Sequence, residues 1–259
     1  MSASLLTTIR DLRRRRGRER RGLALAEGVR LLEEALAAGI TVRGAAVSSA
    51  LEGSPRGSAL KTALLERKVP LTEVAPAELN ALADTEHPQG IVAVVEPRIW
   101  TLDDIALGPG AVVAVLDGLQ DPGNVGTVLR TALGLGVAGV VALKGTADLA
   151  NPKVLRAAMG ASFRLPAVAT DVERFLVWAS EHDLELWVAA ADGETATRHG
   201  QRERRPALAL VLGNEGAGVS EPIEQAARRW VSVPLQPGVE SLNVAVAAGI
   251  LLHEVTRGN

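Results

Sequence analysis

Short apolar runs alternate along this chain with stretches in which apolar positions recur every third or fourth residue. That alternation predicts strands interleaved with helices. In the first third, Leu23–Ala26 reads as a strand ending at Glu27-Gly28, and Val29–Ala38 as a helix with Val29, Leu32 and Leu36 on one face. Ile40–Val47 is strand, Ala59–Arg67 helix, Val69–Val74 strand, Pro76–Leu82 a helix opened by proline in its first turn, and Ile91–Val95 strand. Together these predict an α/β unit over residues 1–96.

Residues 97–110 lack periodicity and end in Gly108-Pro109-Gly110, the composition of a linker. A second alternating series fills 111–259. Its strands are Ala111–Leu116, Val137–Leu143, Leu165–Ala169, Leu184–Ala190 and Pro206–Leu212, with a closing apolar run, Trp230–Leu235, that reads as buried. Its helices are Asn124–Leu135, Pro152–Met159, Val172–His182 and Ser220–Arg229, then a final one that Ser241 is placed to cap, running from Leu242 to Val255.

Composition narrows the class. At 259 residues the chain suits one large or two modest domains, and 47% hydrophobic residues suffice for packed cores. No apolar run approaches the ~20 residues of a membrane span, and no N-terminal apolar stretch resembles a signal peptide. The absence of cysteine excludes disulfides and thiolate metal sites and makes a reducing cytoplasm the natural setting. The histidines, among them His199, show no metal-ligand spacing, so no metal centre is expected.

The net charge of −2 conceals an uneven distribution. Residues 10–21 carry eight arginines against Asp11 and Glu19, a local +6 that leaves −8 elsewhere. Beside them Leu5, Leu6, Ile9 and Leu12 have the spacing of a buried helical stripe. A charge run is by default a solvated face, but an ordered cationic helix suits a phosphate backbone, with Arg10, Arg13, Arg14 and Arg16 as the candidate RNA contacts. With no Tyr, two Phe and four Trp, an aromatic base-stacking platform is not expected; contacts would be arginine to phosphate, with arginine stacking as a further possibility.

Three glycine-bearing loops carry the candidate chemistry. The first, Asp117–Gly126, follows a strand and opens a helix that carries Arg130. Asn124 is placed either to cap that helix or to hold neighbouring loops together through its amide, and Arg130 is either a surface residue or an anion binder near the helix N-terminus. The second, Leu212–Ser220, holds Asn214-Glu215 at the carboxyl edge of a strand, where α/β sheets bind ligands; Glu215 has a binding and a structural reading. The third, Gly238–Asn243, contains Ser241, which has no acid or base neighbour in sequence and reads as a positioning hydroxyl rather than a nucleophile. Gly134–Gly139 matches G-x-G-x-x-G, but a helix precedes it and a strand follows, the reverse of a dinucleotide fingerprint, so NAD binding is rejected.

Asn124 through Arg130, Leu212 through Gly216 with Ser220, and Val233-Pro234-Leu235 through Ser241-Leu242-Asn243 resemble, in order and spacing, the three motifs of SpoU-type (TrmH-like, SPOUT superfamily) RNA ribose 2′-O-methyltransferases. The likeness covers about residues 111–257. The first unit, with Glu27-Gly28, Arg30 and Gln89-Gly90-Ile91-Val92, resembles the ribosomal-protein-like RNA-binding domain that precedes the catalytic domain in many members. The resemblance implies an α/β fold whose C-terminal domain is a trefoil-knotted α/β-knot built on a mainly parallel sheet. It also implies a homodimer formed through that domain, with the active site completed across the interface. It implies S-adenosylmethionine as donor and S-adenosylhomocysteine as product, without metal, held by Leu212, Gly213, Asn214, Gly216, Val233, Leu235 and Leu242. One departure is Ala158, where the family often has serine in an Arg-x-Ser-x-Gly-Ala pattern, here Arg156–Ala161.

By the same resemblance Arg130, Asn124, Glu215, Ser241 and Asn243 form the catalytic set. The family's arginine is proposed as a base after passing a proton to RNA phosphate. A guanidinium pKa above about 12 favours a second assignment, in which Arg130 grips phosphate and stabilises developing negative charge. Ribosomal RNA is the first expectation for the substrate and transfer RNA the alternative. Two other classes compete: a non-catalytic RNA-binding protein of the same fold, and a small-molecule transferase, which would have no use for the arginine helix.

Overall fold

The computed structural model describes residues 2–196 and 206–257. The chain divides into two compact units, Met1–Arg98 with Ala150–Phe163, and Ile99–Leu149 with Arg164–Asn259. His199 lies outside the described residues.

The first unit is built on a four-stranded mixed sheet of β1 (Ala24–Glu27), β4 (Ile91–Glu96), β2 (Thr41–Val47) and β3 (Leu71–Glu73), in that spatial order. β4 runs antiparallel to both neighbours, and β2 and β3 are parallel. The apolar run in β4 is continuous because both faces are covered. Ile91, Ala93 and Val95 face a core with α3 (Val29–Ala37), α4 (Pro55–Glu66) and α7 (Pro152–Ala158), whereas Val92 and Val94 face α1 (Ser2–Leu12) and α5 (Pro76–Leu82). Leu155 of α7 and Phe163 belong to this first core although they lie far along the chain. Ala158 is fully buried, so the one departure from the resembled motif falls at a packing position in this protein.

The arginine-rich stretch is not one helix. The Leu5, Leu6, Ile9 and Leu12 stripe packs α1 onto the sheet as its spacing predicts, but the chain breaks at Arg13–Arg14 and restarts as α2 (Arg15–Arg21). Two contacts fix the break. Arg18 is buried and donates to the carbonyls of Leu12 and Arg13 at 3.0 and 3.1 Å, satisfying groups left free at the end of α1. Gly17 sits where a Cβ would lie 2.1 Å from the Asp11 carbonyl oxygen, so only glycine allows the two helices this approach.

The second unit is a six-stranded sheet in the order β10 (Arg229–Ser232), β8 (Glu185–Thr195), β9 (Leu208–Gly213), β5 (Val112–Asp117), β6 (Gly139–Leu143), β7 (Ala167–Thr170), with every pair parallel. Val113 and Val115 of β5 and Ala209 and Val211 of β9 pack with α8 (Val172–Glu181) and α9 (Glu221–Ala226) on one face. The opposite face carries α6 (Pro122–Gly134) and α10 (Val244–Thr256). The helices that follow β5 and β9 therefore leave toward opposite faces, which opens a crevice at the carboxyl ends of these two adjacent strands.

Several boundaries differ from expectation for identifiable reasons. Part of the aperiodic 97–110 stretch is ordered packing: a short 3-10 turn, Leu102–Asp104, closed by reciprocal Thr101–Asp104 hydrogen bonds, inserts Leu102 and Ile105 into the second core. α6 is capped by Asp121, whose carboxylate accepts from the Asn124 N–H at 2.7 Å with Pro122 in the first turn, so Asn124 is not the cap. α10 is capped by Asn243 rather than Ser241, its side chain accepting from the N–H groups of Ala245 and Val246. The last strand ends at Ser232, and Trp230 is 37% exposed rather than buried. Gly134 and Gly136 close α6 and Gly139 opens β6, helix into strand. No helix among the described residues is long and apolar enough to cross a membrane, and no set of side chains among them could hold a metal ion.

Candidate active site

The loops leaving β5 and β9 are fastened to each other at the crevice. The buried Asp117 carboxylate accepts from the Ser220 N–H at 2.6 Å. The Asn214 amide donates to the Gly118 carbonyl at 2.8 Å while its oxygen accepts from the N–H groups of Gly216 and Ala217. Its backbone pairs in both directions with Gly218. Asn214 is thus committed to holding the turn in shape. Gly213 is required by the same turn, because a Cβ there would lie 2.6 Å from the Gly218 backbone. From the other side Thr146 accepts from the Gly118 N–H and donates to the Leu116 carbonyl, which fixes the start of the first loop.

A cavity of about 370 Å3 opens beside these loops. Leu212, Gly213, Asn214 and Glu215 supply one wall, Val233 and Leu235 a second, and Ser241 and Leu242 a third. The remainder comes from residues the sequence pattern did not single out. β8 and β10 pair at Trp230–Val188 and then jump to Val231–Glu194, so Ala189, Ala190 and Ala191 leave the ladder and line the cavity. Trp230 and Glu240 line it too. An unbroken apolar run followed by alanines gives no sign of such a register jump, so the omission has a physical cause.

The three loops converge on one side chain. Asn124, in the first turn of α6, donates from Nδ2 to Glu215 Oε1 at 2.9 Å and accepts at Oδ1 from Asn243 Nδ2 at 3.1 Å. The reading in which the Asn124 amide holds neighbouring loops together is therefore the observed one. Asn124 and Asn243 themselves stand outside the cavity wall, as does Gly216, whereas Glu215 and Ser241 are part of it. Arg130 is exposed on α6, is not part of the wall, and makes no ion pair among the described residues.

The cavity's chemistry fits an organic cation with a flat apolar end. Its wall is mostly aliphatic, its charged members are the carboxylates of Glu215 and Glu240, and Trp230 and Leu235 remain 37% and 36% exposed at its surface. Exposed apolar side chains rimming a pocket mark a ligand surface. S-adenosylmethionine, with a purine ring and a sulfonium centre, satisfies both requirements.

The arginines expected at RNA are differently engaged. Arg10 pairs with Glu78 at 3.4 Å and Arg13 donates to the Ala81 carbonyl at 2.9 Å. Arg20 and Arg21 both hold Asp11, at 2.7 and 2.6 Å. Arg14 and Arg16 are exposed, with no side-chain partner among the described residues.

Known proteins place this arrangement in a family. Residues 111–253 match the SpoU rRNA Methylase family, and residues 5–93 match the MRM3-like substrate binding domain. A tRNA/rRNA methyltransferase of Synechocystis, itself described as uncharacterized, is 33% identical over 98% of this chain and 90% of its own. The 23S rRNA (adenosine(1067)-2′-O)-methyltransferase of Streptomyces azureus is 33% identical over 89% of this chain and 84% of its own. Among solved structures, the SpoU methyltransferase AviRb from Streptomyces viridochromogenes, in complex with the cofactor AdoMet, superposes with a TM-score of 0.83 at 28% identity, covering 97% of this chain and 96% of that one. With one match spanning more than half of the sequence and relatives aligned along nearly all of it, this chain belongs to the SpoU rRNA methylase family.

Proposed function

We propose that the protein transfers a methyl group from S-adenosylmethionine to a ribose 2′-hydroxyl of ribosomal RNA, acting as a homodimer. The observation that carries this reading is the junction at Asn124, which ties the three loops into one site beside a cavity suited to the donor. Support for the RNA class comes from the relatives, among them a 23S rRNA 2′-O-methyltransferase and an uncharacterized tRNA/rRNA methyltransferase.

S-adenosylmethionine, when bound, supplies an activated methyl group. Leu212, Gly213, Val233, Leu235 and Leu242 would hold it through backbone groups and aliphatic surface, with the Glu215 and Glu240 carboxylates favouring its positive charge. Asn214 and Gly216 contribute by holding the turn rather than by direct polar contact. Ser241, exposed on the cavity wall, orients the ribose. Asn124 and Asn243 position Glu215 and the third loop relative to each other.

Arg130 grips an RNA phosphate and stabilises negative charge developing on the attacking oxygen. It lies outside its own protomer's cavity, so in this reading it serves the site across a dimer interface. An exposed apolar pair on α10, Val246 at 52% and Ile250 at 39%, one turn apart, supports such an interface. The trefoil crossing of the C-terminal segment belongs to the same reading, as does RNA binding by Arg14 and Arg16.

Calorimetry with S-adenosylmethionine tests the cavity, and mapping of ribose methylation in ribosomal RNA from cells lacking the protein tests the reaction. Loss of one methylated nucleotide is expected. An unchanged ribosomal map with a lost methyl group in transfer RNA would move the substrate to the second RNA class, and unchanged maps in both would refute the enzyme reading.

A further inference from the structure

The first unit carries a cavity of about 220 Å3, walled chiefly by Glu27, Arg30, His87, Gln89, Arg156 and Met159. Its floor is fixed with care. The buried Glu27 carboxylate accepts from the N–H groups of Asp84 and Thr85 at 3.0 and 3.1 Å, from the Thr85 hydroxyl, and from Arg156 Nη1 at 3.1 Å. Arg156 Nη2 donates to Asp84 at 3.1 Å. Two of the five guanidinium donors are thereby used on one edge, and the group is held in place while still lining the cavity.

That arrangement suits a flat ring better than a bare anion. Two carboxylates offset the charge of Arg156, so its attraction for phosphate alone is weak, while a guanidinium in a cavity wall offers a planar group on which a ring can stack. Met159, held in the left-handed region at φ 48° just after α7, adds a polarizable apolar surface. The Gln89 oxygen accepts from the Val29 N–H at 2.8 Å, which fixes that side chain and leaves its two amide N–H donors without a partner among the described residues. The side chains of Arg30 and His87 are exposed and make no hydrogen bond or ion pair among the described residues. Phe163 is the first unit's sole aromatic side chain apart from His87, and it is fully buried, so the flat groups left at the cavity are the Arg156 guanidinium and the His87 ring.

We propose that this cavity takes one unstacked base of the substrate RNA. The base lies on the Arg156 guanidinium beside Met159, the Gln89 amide reads its edge, and Arg30 and His87 meet the adjoining phosphate. The proposal rests on RNA being the substrate, and it assigns to the first unit a recognition subsite separate from the methyl-donor cavity.

The test uses the full chain with unmodified, in vitro transcribed 23S rRNA as probe, and reads RNA affinity, kcat, KM and S-adenosylmethionine binding. Arg156→Lys keeps a cation beside Glu27 but loses the plane; RNA affinity should fall about tenfold, the scale of one lost base stack, with kcat and donor binding unchanged. Arg30→Ala should lower affinity and reduce the salt dependence by about one phosphate contact. If Arg156→Lys lowers the melting temperature, Met159→Ala provides a second loss of stacking surface without touching the ion pairs. Variants that bind RNA as the unaltered protein does would overturn the subsite alone. Tight, saturable binding of free AMP or GMP with no effect on RNA would replace it with a small-molecule site. An unaltered protein that binds no RNA would remove both this proposal and the functional reading beneath it.

Discussion

Asn124 and Asn243, 119 residues apart in the chain, are joined by a 3.1 Å hydrogen bond from Nδ2 of the second to Oδ1 of the first. The other end of the Asn124 amide is bonded to Glu215, so a single short side chain sets the spacing between three loops. Asn124→Ala removes both bonds and leaves the α6 cap at Asp121 intact. A displacement of about 1 Å in a reacting group costs roughly a hundredfold in rate. kcat/KM on RNA should fall by about that factor while S-adenosylmethionine binding, measured by calorimetry, changes little. Near-normal turnover would mean that the junction is decorative.

Arg130 admits a sharper separation of roles. Its guanidinium is exposed and makes no ion pair among the described residues, which leaves it placed to meet a phosphate. Arg130→Ala should nearly abolish methyl transfer and leave donor affinity unchanged. Arg130→Lys distinguishes a base from a phosphate clamp: lysine can lose a proton near neutral pH when desolvated but cannot form a bidentate pair. A lysine variant that stays inactive at pH 9 supports the clamp, and one that recovers activity steeply with pH supports the base.

How much of this was readable from the residues varies with the kind of signal. The alternation of strands and helices was legible because both sheets are covered on two faces, which makes their strands continuous apolar runs such as Ile91–Val95 and Ala209–Leu212. Residues of the three motifs do meet, Asn124 with Glu215 and Asn243, and Leu212, Gly213, Val233, Leu235 and Leu242 around one cavity, whereas Arg130 and Gly216 stand outside its wall. Caps were less legible, since Asp121 before Pro122 and Asn124 are both acceptable by residue type and only the proline in the first turn favours the former. The break between α1 and α2 could not be read from an arginine run, because it depends on one buried guanidinium answering two carbonyls. The assignment of residues 150–163 to the first unit depends on long-range packing of Leu155 and Phe163, for which local periodicity carries no information.

The arginines near the N-terminus should separate by variant into structural and RNA-facing classes. Arg18→Ala leaves the Leu12 and Arg13 carbonyls without their donor, a loss of about 1–3 kcal/mol, visible as a lower urea midpoint. Arg14→Ala and Arg16→Ala should leave that midpoint unchanged and each reduce the slope of log affinity against log salt by about one. A stability loss at Arg14, or an unchanged salt slope in both variants, would contradict the division.

Asp11 links the same two helices through a titration. Its hydrogen bond to Arg21 and its pairing with Arg20 hold the carboxyl below its ordinary value of 3.8. A depressed carboxyl adds stability in full above its unfolded value and loses it as pH falls through the lower folded value. The contribution to the α1–α2 junction is therefore complete near neutral pH and disappears only in acid, below 3.8. An NMR titration of the Asp11 carboxyl should give a midpoint under 3.8 in the unaltered protein and a higher one in Arg21→Ala. Equal midpoints would show that the pairs do not persist in solution.

Val246 and Ile250 give the dimer its test. They stand one turn apart on the outer side of α10, while Ala248, Leu251 and Leu252 of the same helix are buried. Replacing both with glutamate places like charges against each other in any two-fold contact made by this face, since each protomer presents the same patch. Neither side chain lines the donor cavity or contributes to the buried face of α10, so the fold and S-adenosylmethionine binding should survive. Sedimentation should show the unaltered protein at twice the mass of the 27.0 kDa chain and the double variant at the single mass. If Arg130 serves the opposite protomer, the monomeric variant should also lose methyl transfer, and mixing it with Arg130→Ala protein should not restore activity. A double variant that remains dimeric would place the interface elsewhere, and one that is monomeric yet fully active would return Arg130 to its own protomer's site.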